Sequence, residues 1–328
     1  WFYQNTLFDL AAEWHRYGGE LLLIDEVHKY ENWSRELKLI YDGHPGLKVI
    51  FTSSSALDLY RGESDLSRRL FTQNLHGLSF REYLSLMHGL EFEKVDLDDL
   101  VKHPRKLAEA VLSETKPLPL FKKYIRQGYF PFVKDVPAPN LDSRHLQILN
   151  TIMESDLAFI QDYSAANIHK VKKLLGVIAA SAPFEPNISN IARKLNLGRD
   201  TVNQYLKHLH DAHILTLVYK PSKGISHLQK PDKIHFENPV FAYSLQNEPN
   251  PGTIRETFFM NQLRNAGHKV SLPPKGDFLI DEKWIFEVGG KNKTSSQVKN
   301  ESHALLALDE IEVGVGKNIP LWLFGFLY

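Results

Sequence analysis

The segment Leu21-Leu22-Leu23-Ile24-Asp25-Glu26 constrains this chain more than any other. Four consecutive apolar residues, bounded by Gly18-Gly19-Glu20 on one side and two acids on the other, leave no polar face. Such a run reads as a strand buried on both sides, and that requires a parallel sheet with helices above and below. The flanking sequence agrees. Thr6 to Tyr17 carries Leu7, Leu10, Ala11 and Trp14 at helical spacing, and a second helix is expected around Trp33 to Tyr41. Val49 to Thr52 reads as a second buried strand before the polar turn Ser53-Ser54-Ser55, and a third short strand is expected near Phe71 to Leu75.

From Phe80 to about Ser181 the periodicity is helical. Turn-rich breaks fall at Lys116-Pro117-Leu118-Pro119 and from Asp135 to Asn140, the second a candidate linker. Residues 183–240 read as a compact unit of three helices and a hairpin. After Pro249-Asn250-Pro251-Gly252 a last α/β unit is expected, with a helix from Ile254 to Ala266 and strands Phe278–Ile280 and Trp284–Val288. A helix after Gln297 and strands near Glu312–Val315 and Leu321–Phe326 would complete it. The expected boundaries are 1–85, 86–180, 181–248 and 249–328, and 328 residues suffice for several cores.

Composition narrows the classes of function. Lys+Arg and Asp+Glu are both 39, so no global field draws the chain to nucleic acid or an anionic membrane, and any such contact must be a local patch. The absence of cysteine excludes disulfides, thiolate zinc sites and cysteine nucleophiles. No apolar run approaches the length of a membrane span and no signal peptide is visible, so a cytoplasmic location without membrane contact is expected. The opening Trp1-Phe2-Tyr3-Gln4 is apolar and lacks an initiator Met, and further sequence is expected to precede it.

Asp25 and Glu26 follow the apolar strand directly and belong at the carboxyl edge of the sheet, where open α/β folds bind ligands. Paired carboxylates there suit hydrolysis of a magnesium nucleotide: Asp25 would orient the metal shell and Glu26 would polarise the attacking water. The bland alternative is an exposed acidic turn. A polar residue at the end of the neighbouring strand, Ser53 or Ser54, could sense a γ-phosphate. Arg69, in Leu66-Ser67-Arg68-Arg69, could reach a neighbouring subunit's nucleotide, a contact worth about 10³–10⁵ in rate, or simply make a surface ion pair worth little.

Several strings occur in order: Asp25-Glu26-Val27-His28-Lys29, Asn32-Trp33-Ser34-Arg35-Glu36-Leu37-Lys38, Phe51-Thr52-Ser53-Ser54 and Asp65-Leu66-Ser67-Arg68-Arg69. Gly77-Leu78-Ser79-Phe80-Arg81-Glu82-Tyr83 and Gly128-Tyr129-Phe130-Pro131 follow. Together they resemble a prokaryotic family of AAA-type P-loop ATPases that also carry a C-terminal nuclease-like domain, and the resemblance covers nearly the whole chain. It implies that Asp25 and Glu26 are the Walker B pair, Ser53 or Ser54 the sensor and Arg69 the finger. ATP and Mg2+ would be the ligands, with a homo-oligomer formed through the AAA core. One departure is large: the Gly-x-x-x-x-Gly-Lys-Ser/Thr loop occurs nowhere in the 328 residues. Without its backbone cradle and lysine the phosphates lose their main anchor, so the AAA core is expected to be partial and nucleotide binding weak.

A second pattern lies at Ile188 to Gly198, a short helix and turn, followed by a helix from Arg199 to Ala212. Val202, Leu206 and Leu209 would face inward, and Arg199, Thr201, Asn203, Gln204 and Lys207 outward. A wing would follow from Ile214 to Tyr219 and return along Asp232 to Phe236, giving a winged helix-turn-helix. Arg193, Arg199, Lys207, Lys220 and Lys223 are candidate phosphate contacts with DNA. Eight Lys/Arg against five Asp/Glu in residues 181–240 make the segment modestly basic, and winged helices also serve as protein-docking modules.

A third constellation lies near the end. Asp277 opens one strand, Glu287 ends the next, and Glu256 precedes them on a helix. In restriction-endonuclease-like folds such an Asp and Glu hold magnesium, while a Lys two residues beyond the Glu assists the water. Here that position is Gly289, in Phe286-Glu287-Val288-Gly289-Gly290-Lys291, and Lys291 is the candidate substitute. The expectation is weak metal binding by Asp277 and Glu287 without strand cleavage, because the activating cation is missing.

Overall fold

The computed structural model describes residues 5–53, 66, 68–156, 164–180, 187–220, 230–294 and 304–328. The chain divides into two compact units, one taking in residues 1–75 and 155–162 and one taking in 76–154 and 163–328.

The first unit runs α1 (Leu7–Arg16), β1 (Leu21–Ile24), a 3-10 turn (Val27–Lys29), α2 (Trp33–Gly43) and β2 (Lys48–Phe51). The first helix begins where it does because Thr6 and Asp9 cap one another reciprocally, each satisfying a backbone N–H that has no helical partner. Strands β1 and β2 pair in parallel, Leu21 opposite Lys48 and Ile24 opposite Phe51. Leu7 and Ala11 of α1, with Leu37 and Ile40 of α2, form the core against which Leu22, Ile24, Val49 and Phe51 pack. The opposite face of the sheet differs from the expectation of burial on both sides: Leu23 is 68% and Ile50 58% exposed. Both helices lie on one face, and the described residues offer nothing to the other. Phe71 to Leu75 forms no strand either. Phe71 and Leu75 are both exposed, and no described strand pairs with the segment.

In the second unit the helices are α3 (Phe80–His88), α4 (Leu97–Lys102), α5 (Pro104–Leu112), α6 (Pro117–Gln127), α7 (Ala138–Thr151) and α8 (Ala165–Ala179). Phe80 is fully buried between Phe121, Tyr124 and Phe326, which ties α3 to this unit and sets the break ahead of residue 85. The two proline-rich stretches are helix starts, with α6 opening at Pro117 and α7 at Ala138-Pro139. Proline suits the first turn because the N–H it lacks has no partner there, so 135–140 is no linker between domains.

Helices α9 (Ile188–Leu195) and α10 (Arg199–Asp211) are followed by the antiparallel hairpin β3 (Leu215–Val218) and β4 (Lys233–Phe236). Two further helices, α11 (Pro239–Leu245) and α12 (Pro251–Asn265), lead into a five-stranded sheet. Its strands, β5 (Val270–Ser271), β6 (Phe278–Ile280), β7 (Trp284–Gly289), β8 (Ala304–Leu308) and β9 (Asn318–Pro320), lie in sequential order. The first three pair antiparallel and the last two join in parallel. Phe259 of α12 anchors the sheet, packing on Phe278, Phe286 and Phe324. Several polar side chains of this buried helix join one network: Asn261 donates to Tyr129 and to the Glu237 carbonyl, Gln262 to Tyr124, and Asn265 to Tyr328.

Two carboxyl-terminal expectations fail. The strand expected at Glu312–Val315 is a loop in which Val315 is exposed, and the strand is instead the fully buried Ala304-Leu305-Leu306-Ala307-Leu308. Ala and Leu carry little β preference, so that run gives no strand signal of its own. Leu321–Phe326 is a 3-10 helix. A short run buried all round does not betray its period. The helix expected after Gln297 begins among residues outside the described ones.

Candidate functional site

At the carboxyl edge of the first sheet, the parallel register of β1 and β2 brings Thr52 level with Asp25. The Thr52 hydroxyl donates to Asp25 Oδ1 and accepts the Glu26 N–H at 3.0 Å. Glu26 has a left-handed backbone (φ 53°, ψ 43°), uncommon for a residue with a side chain and costly enough to persist only where the surroundings impose it. The next residue continues the clamp, Val27 N–H donating to the Thr52 carbonyl at 2.9 Å. Asp25 is exposed and Glu26 partly so. The Glu26 carboxylate lies 3.1 Å from Lys29 Nζ and 3.6 Å from Nε2 of the buried His28, whose Nδ1 meets Ser53 Oγ at 3.1 Å. Asp25, Glu26 and Ser53 thus share one strand-end cluster, whereas Ser54 lies outside the described residues. Arg69 makes a two-pronged contact with Asp42, Nε to Oδ1 at 2.9 Å and Nη2 to Oδ2 at 3.1 Å. Thr52, His28 and Lys29 were visible in the strings but carried no assigned role; the signal for Thr52 was its position one residue past β2, level with Asp25.

In the second unit, α10 exposes Arg199, Gln204 and Lys207, and Arg193 is exposed on α9. Thr201 and Asn203 are half-buried, and Asn203 Oδ1 is turned away from solvent. Lys220 is exposed, 3.9 Å from Asp232, and Lys223 lies outside the described residues.

The carboxyl-terminal constellation is where sequence reasoning missed most. Asp277 precedes β6 and Glu287 lies in β7, and the antiparallel pairing brings them together. Asp277 Oδ2 accepts the Val288 N–H at 2.9 Å. The cation present is Lys293: its Nζ lies 3.3 Å from Asp277 Oδ2 and 3.6 Å from Glu287 Oε2. Lys291, the expected substitute, is exposed. The premise that no cation reaches this pair is therefore corrected. The chain turns through Gly290, whose carbonyl accepts the Lys293 N–H at 2.9 Å, and the lysine side chain runs back over Gly289. A Cβ on Gly289 would meet Lys293 Cβ, Cγ and Cδ at 2.7, 2.8 and 2.9 Å.

Glu256 of α12 completes the group from behind, 3.2 Å from Lys233 Nζ and 3.8 Å from His235 Nε2 of β4. Burial pushes the Glu256 carboxyl up from the ordinary range, with Lys233 pulling against it and Asp277 adding to it. Burial likewise raises Glu287, opposed by Lys293. Buried His235 is driven down to about 3 and is neutral. A second ion pair, Arg264 to Glu237 at 3.2 Å, joins the far end of β4 to α12. Among the described residues no three His, Asp or Glu side chains are gathered as metal ligands, so a cation here would rest on the two carboxylates with water and backbone oxygens. No helix among them is long and apolar enough to cross a membrane.

A family described as an AAA domain matches residues 2–84, and one described as a domain of unknown function (DUF8612) matches residues 118–251. The uncharacterized protein MJ1637 of Methanocaldococcus jannaschii is 26% identical over 320 residues, covering 90% of this chain. This chain spans 66% of that relative's length. No solved structure matches. The amino-terminal match and the mixed α/β architecture agree on an AAA-like segment carrying Asp25 and Glu26.

Proposed function

We propose that this chain belongs to an AAA-type ATPase and contributes the carboxylates that orient magnesium and the attacking water. The observation that carries the reading is the strand-end clamp, in which Thr52 fixes Asp25 and the Glu26 backbone across two parallel strands. An exposed acidic turn has no need of a strained backbone and a shared hydroxyl. Asp25 orients the Mg2+ shell, Glu26 polarises water once it leaves Lys29, and Ser53 lies beside them as the γ-phosphate sensor. The phosphate-binding loop must come from sequence other than these 328 residues. The test is made on the full-length protein: Glu26→Gln retains ATP binding but lowers turnover by orders of magnitude, a transition-state effect. Hydrolysis at the parental rate would reduce Glu26 to a surface acid.

A second reading assigns duplex DNA to the other unit. Helices α9 and α10 with the β3–β4 hairpin form, on this reading, a winged helix, and the exposed Arg193, Arg199, Gln204 and Lys207 favour it. The five-stranded sheet with α12 would then be a restriction-endonuclease-like domain, its Asp277 and Glu287 on paired strands.

A further inference from the structure

His28 is buried, yet it stands between two groups of the strand-end cluster: its Nδ1 lies 3.1 Å from Ser53 Oγ and its Nε2 3.6 Å from Glu26 Oε2. Backbone contacts put it there. The Thr52 carbonyl holds the Val27 N–H at 2.9 Å, so the residues that follow each, His28 and Ser53, meet at the strand end. The left-handed backbone of Glu26 opens a turn that the Lys29 N–H closes on the Glu26 carbonyl at 3.0 Å, and the Glu26 carboxylate folds over that turn toward the imidazole. The ring proton has a preferred seat. A neutral imidazole carries one N–H and one bare nitrogen. Facing a carboxylate, a bare Nε2 would set its lone pair against negative charge, so the proton belongs on Nε2 and Nδ1 is the acceptor. Ser53 must then donate, and a hydroxyl has a single proton to give.

We propose that His28 is a positioning residue that reports the γ-phosphate to Glu26, an inference that rests on the ATPase reading above. Without nucleotide, Ser53 donates to Nδ1, and Nε2–H faces Glu26 and keeps it folded back on its own turn. A γ-phosphate offers charged acceptor oxygens, which take a hydroxyl proton in preference to a neutral nitrogen. Once Ser53 donates to phosphate, its oxygen presents lone pairs to the lone pair on Nδ1. Two acceptors facing one another in a buried setting repel, so the imidazole turns or shifts. Either motion spoils the aim of Nε2–H, and the carboxylate is released toward the attacking water. Lys29 alone holds it weakly, because that ammonium is mostly exposed. Departure of the phosphate after hydrolysis returns the hydroxyl to Nδ1. The ring neither gains nor loses a proton, and the relay works by exchange of hydrogen bonds.

The experiment uses the full-length protein with isotope-labelled histidine. Long-range proton–nitrogen spectra read the two ring nitrogens, and His28 is assigned by its absence from His28→Gln. A non-hydrolysable ATP analogue with Mg2+ is expected to move the Nδ1 resonance of His28 to that of an acceptor without a donor, whereas ADP leaves it in place. Ser53→Ala should produce the same shift with no nucleotide. A bound analogue that leaves Nδ1 where ADP leaves it would overturn the relay. Kinetics supply a second arm. His28→Phe is expected to lower ATP turnover about tenfold with KM unchanged, as for one lost buried hydrogen bond. Adding Ser53→Ala to it should cost no more than about twofold further, because both changes remove one contact. Fully additive losses would also overturn the relay. The reading beneath it fails separately, through a Glu26→Gln protein that hydrolyses ATP at the parental rate.

Discussion

Thr52 donates its hydroxyl to Asp25 Oδ1 and so fixes that carboxylate from the neighbouring strand. A hydrogen bond to a charged group contributes about 1.5–3 kcal/mol. In the full-length protein, Thr52→Val is accordingly expected to lower ATP turnover by about one to two orders of magnitude and to raise the magnesium concentration required. Thr52→Ser, which keeps the hydroxyl, should restore both. Steady-state hydrolysis measured against magnesium checks this, and a silent Thr52→Val would make the clamp ornamental.

Arg69 is held by Asp42, so a role in a neighbour's nucleotide site requires it to exchange that partner. Arg69→Ala in the full-length protein is expected to cut turnover by about 10³, as for an arginine that meets transition-state charge. Asp42→Ala should leave turnover within a few-fold, because this partly exposed pair adds little to stability. Equal losses of activity in the two variants, tracking equal losses of thermal midpoint, would assign Arg69 a structural role only.

For the DNA reading, the surface charge on α9 and α10 limits the binding to a handful of phosphate contacts. Arg199→Ala with Lys207→Ala should weaken binding to every duplex sequence and flatten the salt dependence by roughly one unit of log–log slope per lost contact. Anisotropy titrations at several salt concentrations provide the measurement. No binding at low salt would leave α10 as a protein-docking face.

His145 is fully buried against the stacked rings of Phe130 and Phe132, and neither ring nitrogen has a hydrogen-bond partner among the described residues. Burial lowers it from an ordinary 6.5 to about 4, against a small upward pull from Asp142. The unfolded chain takes up this proton near 6.5 while the folded chain refuses it until about 4. Stability is therefore whole above the first value and falls across that window, by roughly 3 kcal/mol for this group. His145→Leu should flatten the loss, read as the change in urea midpoint between pH 7 and pH 4 relative to the parent. An identical slope would show that His145 finds water in the folded state.

The first sheet and the strand-end acids were legible because period-free apolar runs and a carboxylate pair are local signals. The hairpin and strands β6 and β7 were legible for the same reason. Strand β8 was not, since Ala and Leu look helical until a neighbouring strand claims them. The 3-10 helix at Leu321–Phe326 was hidden by burial on every side. Lys293 escaped because the reading counted along the chain from Glu287, whereas the lysine arrives through a turn at Gly290 and over the notch at Gly289. Thr52 escaped for a related reason: its partner is fixed by strand register, which single-strand reading does not supply.

The ion pairs Lys233–Glu256 and Arg264–Glu237 fasten β4 to α12 at two points. From Lys233 to Glu237 an extended chain climbs about 13 Å. From Glu256 to Arg264 a helix climbs about 12 Å. The two spans match, so the rivets hold strand and helix in step, and neither can slide past the other without breaking one. Among the described residues the hairpin is thereby pinned along the length of β4 to the same helix that presents Glu256.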